Sequence, residues 1–248
     1  MTAPTLPDIA KTEIAIVEMT NDFRKKNGLN AVTHEFRLMN AARAFAIYLA
    51  RTGKFAHEAD GRQPSERVQT AGYQYCFVAE NLALSQSSAG FETRDLARRM
   101  VEGWINSPGH RKNMLVDAAT ETAVAIARGP DGDPKYVAVQ LFARPRHLAY
   151  EFQVSNNSGD TIRYIFGEKP QEVKSGLAII HTACLPESIS FDAPRAGSAP
   201  LGSYEAKDGM VFEIKKVSGS YRVNVRQKER IGVPGAGAKP PPAGGVTR

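Results

Sequence analysis

No stretch of this sequence approaches the roughly 18 consecutive apolar residues that a membrane-crossing helix needs, so no transmembrane segment is expected. Long basic runs are missing too. The 32 Lys and Arg are interspersed among 26 Asp and Glu, for a net charge of +6. Nucleic-acid binding calls for a concentrated basic face, so none is expected. Cysteine is scarce: Cys76 and Cys184 are the only two in 248 residues. That excludes a disulfide-dense scaffold, and their spacing suggests no zinc site. They are compatible with one bridge in an oxidising compartment or with two buried thiols. The opening residues, Met1-Thr-Ala-Pro-Thr-Leu-Pro7, lack the basic and apolar regions of a secretory signal. The sequence therefore reads as that of a cytoplasmic protein or of one whose signal was removed. A His-Glu-x-x-His helix is absent, and no serine or cysteine sits in a nucleophile motif.

What is present begins with helices. Ile9 to Asn27 carries Ile9, Ile16, Met19 and Phe23 near one face and stops at Gly28. Phe36 to Thr52 has a broad apolar stripe through Leu38, Ala42, Phe45 and Leu49, and Gly53 ends it. Pro64 to Ala71 reads as a short helix with proline near its start. Thr93 is placed to cap a fourth helix reaching about Ile105, with Trp104 on its buried side. Two strand-like runs follow, Glu121 to Arg128 and Lys135 to Ala143, around a turn rich in Gly, Pro and Asp. Helices followed by an antiparallel hairpin give an α+β domain over residues 9–147, expected to fold as an isolated fragment.

After Pro145 the pattern changes. Glu151 to Asn156, Thr161 to Phe166, Gly209 to Lys215 and Ser220 to Arg226 alternate apolar and polar residues between turn-forming clusters. This predicts an all-β, sandwich-like domain over 148–230. Residues 231–248, rich in Gly, Pro and Ala, cannot supply a core and are expected to be a disordered tail.

Three polar clusters in the first domain could carry chemistry: Phe55-Ala-His57-Glu58, Ala79-Glu80-Asn81-Leu82-Ala83, and Trp104-Ile-Asn-Ser-Pro-Gly-His110-Arg-Lys-Asn-Met-Leu115. Each places a His or Glu near an element end, where side chains from different elements converge. Two imidazoles and one carboxylate are a donor set for a divalent metal such as zinc with an open water position. The same trio suits acid-base chemistry, because His titrates near neutral pH. His34, His147 and His181 read as hydrogen-bonded connectors, Trp104 as packing, and Asn21 and Arg24 as braces for the first helix.

Taken together, these clusters resemble the CAP superfamily (cysteine-rich secretory proteins, antigen 5 and pathogenesis-related proteins), in its bacterial branch. Further matching pieces are Asn21-Asp-Phe-Arg24, Asp60-Gly-Arg-Gln-Pro-Ser65-Glu-Arg67, Ala71-Gly72-Tyr73 and Thr120-Glu121, in family order over about 135 residues. The most specific run is Trp104-x-Asn-Ser-Pro-Gly-His110-Arg with Glu80-Asn81 upstream. The resemblance implies an α-β-α sandwich and a cleft to which His57, Glu80 and His110 contribute. Eukaryotic members carry a second Glu three residues after the tryptophan; here that position is Ser107. Glu121 is the candidate fourth cleft residue, and Ala79 stands where the family usually has Gly. The resemblance does not cover residues 148–248.

The resemblance implies a secreted or periplasmic protein that binds a small ligand, a lipid or a cell-envelope component and is non-enzymatic. In this reading His57, His110 and Glu80 are the ligands of a divalent metal such as Zn. The alternative is a metal-assisted hydrolase using the same cleft, with Glu80 or Glu121 as general base. A third arrangement gives the C-terminal domain a protein partner.

Overall fold

The structure is a computed structural model that describes residues 3–130, 132–194 and 199–228. The expected tail, 231–248, lies outside the described residues. The chain forms two compact units: Met1–Tyr150 together with Thr182–Pro186, and Glu151–His181 together with the residues from Glu187 onward.

In the first unit, helix α1 (Ile9–Lys26) starts where the Asp8 carboxylate accepts the Lys11 N–H. Helix α2 (Phe36–Thr52) starts where Glu35 accepts the Leu38 N–H. It stops at Gly53, whose φ of 69° lies in the left-handed region that glycine enters without strain. Proline sits in the first turn of α3 (Pro64–Thr70) and again of α5 (Pro108–Met114), which follows α4 (Thr93–Asn106) almost directly. The strands are β1 (Thr33–His34), β2 (Tyr75–Gln86), β3 (Glu121–Arg128) and β4 (Lys135–Pro145). They form one sheet in the order β1-β3-β4-β2, antiparallel except for the short β1–β3 pair.

Both faces of this sheet are covered. On one side Leu38, Phe45 and Leu49 of α2 and Val68 of α3 pack on Leu82, Ala123, Val139 and Leu141. On the other, Ile16 of α1 and Met100 and Trp104 of α4 pack on Val124, Ile126, Ala138 and Phe142. The result is the α-β-α architecture that the resemblance implied. Burial on both faces explains why β3 and β4 read as continuous apolar runs. Strand β2 and helix α5 are not among the elements expected from the sequence. The polar pair Glu80-Asn81 interrupts the apolar pattern of β2, and α5 has only seven residues.

The second unit is a β-sandwich. Its strands are β5 (Tyr150–Asn157), β6 (Ile162–Phe166), β7 (Lys169–Val173), β8 (Ala178–Ala183), β9 (Glu187–Phe191), β10 (Gly202–Ala206), β11 (Met210–Val217) and β12 (Ser220–Gln227). They build sheets ordered β10-β9-β6-β7 and β12-β11-β5-β8. Rings from the two sheets meet between them: Phe191 lies 5.6 Å from Phe212, and Phe152 lies 4.8 Å from Phe166. Strands β7 to β10 are not delineated by the sequence pattern. Three of these are sheet edges, whose exposed residues break the apolar alternation.

The question left open by the two cysteines is answered here: Cys76 and Cys184 form a disulfide. Cys184 belongs to the Thr182–Pro186 segment that groups with the first unit.

Candidate functional site

His57 lies in the segment between α2 and α3, Glu80 on β2 and His110 on α5. His57 Nδ1 and Glu80 Oε1 are 2.8 Å apart. A carboxylate oxygen accepts, so Nδ1 donates and carries the ring proton in the neutral form, which leaves the lone pair on Nε2. That nitrogen makes no hydrogen bond to the described residues. The second oxygen, Oε2, accepts from Arg67 Nη2 at 2.8 Å. The Glu80 side chain is only 1% exposed, so both of its oxygens are satisfied inside the protein.

Arg67 of α3 is held by several neighbours. Its Nη1 donates to Asp60 Oδ1 and to the Arg62 carbonyl, and Nη2 also donates to the His57 carbonyl. Its guanidinium carbon sits 3.6 Å from the centroid of the Phe45 ring. In the sequence Arg67 falls within a run that matches the family but carries no assigned role. No local signal marks an arginine that turns inward from a seven-residue helix.

His110 is held to β2 by two asparagines. Asn81 Nδ2 donates to the His110 carbonyl at 3.1 Å. Asn113 Nδ2 donates to the Glu80 carbonyl at 3.2 Å and to Asn81 Oδ1 at 2.9 Å. Each motif thus supplies one candidate site residue and one asparagine that ties it to the other motif. Burial pulls the His110 pKa below the ordinary imidazole value, and the nearby His57 charge adds to the effect. His57 and Glu80 are thus in direct contact, and His110 is tied to the same strand through its backbone carbonyl.

Glu121 is placed elsewhere. Its Oε2 accepts from the Tyr73 hydroxyl, and it lines a separate cavity of about 400 Å³ with Glu35, Arg37, Gln74, Arg146 and His147. Burial, then Glu121 itself, push the Tyr73 pKa up.

Beside His110 runs a groove of about 500 Å³ along β2. Leu82, Leu84, Met100 and Trp104 give it apolar walls, and Phe55 stands at its margin half exposed. Its polar groups are His110, Arg99, Ser107 and Ser85. Ser107 is the N-cap of α5 but makes no capping hydrogen bond. Ser85 is 4% exposed, and its hydroxyl has no hydrogen-bond partner among the described residues. A hydroxyl without a protein partner in a groove wall is a place for a ligand atom or a water.

Among the described residues, no three His, Cys, Asp or Glu side chains converge as metal ligands. The expected His57, His110 and Glu80 set is arranged differently: Glu80 stands behind His57, bonded to its Nδ1, and Arg67 holds its other oxygen. As placed, these residues do not fit a three-ligand zinc site.

The sequence profile of the cysteine-rich secretory protein family, CAP, matches residues 17–142. The chain belongs to the CAP family. The CAP unit is 30% identical over 108 residues to the protein YkwD of Bacillus subtilis, a match spanning 43% of this chain and 39% of that one. Among solved structures it is similar to an outer surface protein of Borrelia burgdorferi. There the identity is 21%, over 54% of this chain and 93% of the other, with a TM-score of 0.47. A second similar structure is an SCP-domain extracellular protein of Bacillus anthracis, with 22% identity over 55% and 41% of the two chains and a TM-score of 0.44. No helix among the described residues is long and apolar enough to cross a membrane.

Proposed function

We propose that this CAP protein works outside the cytoplasm as a binder, not an enzyme. It takes a small amphiphilic ligand, a lipid or a cell-surface component into the groove beside His110. The observation that carries the reading is the groove itself: about 500 Å³ with apolar walls, and with Ser85, His110 and Arg99 among its polar groups. Apolar walls with a few placed polar groups are the usual make-up of a small-molecule site. The Cys76–Cys184 disulfide supports an oxidising location, secreted or periplasmic.

Trp104 makes the reading testable, because it is the only tryptophan in the chain and lines the groove. Titrating the full chain with fatty acids, sterols and phospholipid vesicles should shift its emission for at least one of these classes. Leu84 is 41% exposed, so Leu84→Glu should leave the fold intact while weakening that binding at least tenfold. No emission change with any class, or equal binding by Leu84→Glu, would remove the groove as the binding site.

A further inference from the structure

Arg67 determines what Glu80 is able to do. A carboxylate facing a cleft with two imidazoles would ordinarily complete a metal-binding set. Here one oxygen is hydrogen-bonded to the back of His57 and the other to a guanidinium that is itself only 4% exposed. Arg67 has little freedom to move aside. Asp60, two backbone carbonyls and the Phe45 ring hold it in place. A planar cation fixed in this way also opposes a second cation nearby by direct repulsion.

We propose that Arg67 is the specificity-determining residue that keeps this cleft from acting as a three-ligand divalent-metal centre. It holds Glu80 behind His57 as an orienting partner and leaves the two imidazoles as the protein donors that face the cleft. The proposal is independent of which ligand the groove takes. It has a gain-of-function consequence: neutralising Arg67 frees Glu80 Oε2 and removes the competing charge. Asp60 keeps its contacts to Arg62, 2.9 Å away, so the change leaves Glu80 as the carboxylate without a cation.

The experiment is a zinc titration of the full chain at pH 7.5, read by calorimetry and by the shift in thermal midpoint. The variants are Arg67→Met, Arg67→Gln and Arg67→Lys. Both neutral variants should bind zinc at least tenfold more tightly than the unaltered chain and gain more thermal stability from it. Arg67→Lys, which keeps the charge, should stay within about threefold of the unaltered chain. Adding Glu80→Gln or His57→Ala to Arg67→Met should abolish the gain. A neutral variant that is unfolded without zinc should refold with it, because metal binding to the folded state draws the equilibrium that way. The proposal fails if the unaltered chain already binds as tightly as Arg67→Met, or if the gain survives Glu80→Gln. It fails equally if the neutral variants remain unfolded in excess zinc.

Discussion

Arg24 is completely buried and donates only to backbone carbonyls: Nε to Asn30, Nη1 to Met114 and Val116, and Nη2 to Ala119. Burial lowers its pKa, while the charge of Asp117 works in the opposite direction. Expected as a brace for its own helix, it instead joins α1 to the segment that follows α5. Arg24→Leu would leave the Asn30, Met114 and Ala119 carbonyls without this donor, while that of Val116 keeps the Ala119 N–H, so the CAP unit should lose about 3 kcal/mol. Urea unfolding measures this, and a loss below about 1 kcal/mol would make the arginine a bystander. In the second unit, His181 Nε2 lies 2.8 Å from the Tyr164 hydroxyl, and its ring stacks on Phe152. Burial pulls its pKa below 6.5. The unfolded chain therefore takes up the proton first as pH falls. The stabilisation is complete above about pH 6.5 and is lost as pH drops through that value toward the lower folded one. The melting midpoint of the second unit should fall between pH 7.5 and pH 5, and His181→Gln should flatten that slope. An unchanged slope would assign the acid sensitivity to other groups.

At the scale of elements, both edges of the CAP sheet are closed by side chains. β2 has one strand neighbour, and on its other side the carbonyls of Glu80 and Leu82 accept from Asn113 and from Trp104 Nε1. On β3, beyond the two-residue β1, the Ile126 N–H donates to Glu13, which Arg43 holds. Unpaired strand edges recruit other chains, and these contacts block that route. Trp104→Phe keeps most of the ring but leaves the Leu82 carbonyl without its donor. The expected cost is about 1–2 kcal/mol, with faster aggregation on heating, followed by calorimetry and light scattering. The apolar stripe of Trp104 was legible in the sequence; its second task as an edge cap was not. Long periodic elements such as α1, α2, β3 and β4 were legible because packing on one or both sheet faces imposes their pattern. β2 escaped because Glu80-Asn81, the pair that serves the cleft, breaks its pattern. For the cleft, the motifs pointed to His57, Glu80 and His110, while Arg67 and the Asn81–Asn113 clasp depend on contacts between distant elements. Glu121 shares a sheet with Glu80, but β4 lies between their strands, a separation no spacing rule conveys.

For the whole molecule, the Cys76–Cys184 bond closes a loop with a sequence separation of 108. Restricting the unfolded chain over such a loop typically stabilises the folded state by about 2–4 kcal/mol. Cys76→Ser with Cys184→Ser should lower the first thermal transition accordingly and make it insensitive to dithiothreitol. If the unaltered chain melts identically with and without reductant, the bond contributes nothing to stability. The CAP unit is also discontinuous: the chain leaves it after Tyr150 and returns at Thr182. A polypeptide that crosses a membrane amino end first would deliver Cys76 to the oxidising side well before its partner. For that interval the thiol is open to pairing with the wrong molecule, and enzymes that shuffle disulfides would find their substrate there. A recombinant 1–147 fragment makes this interval permanent. It should accumulate as covalent dimers on a non-reducing gel, and Cys76→Ser should return it to monomer.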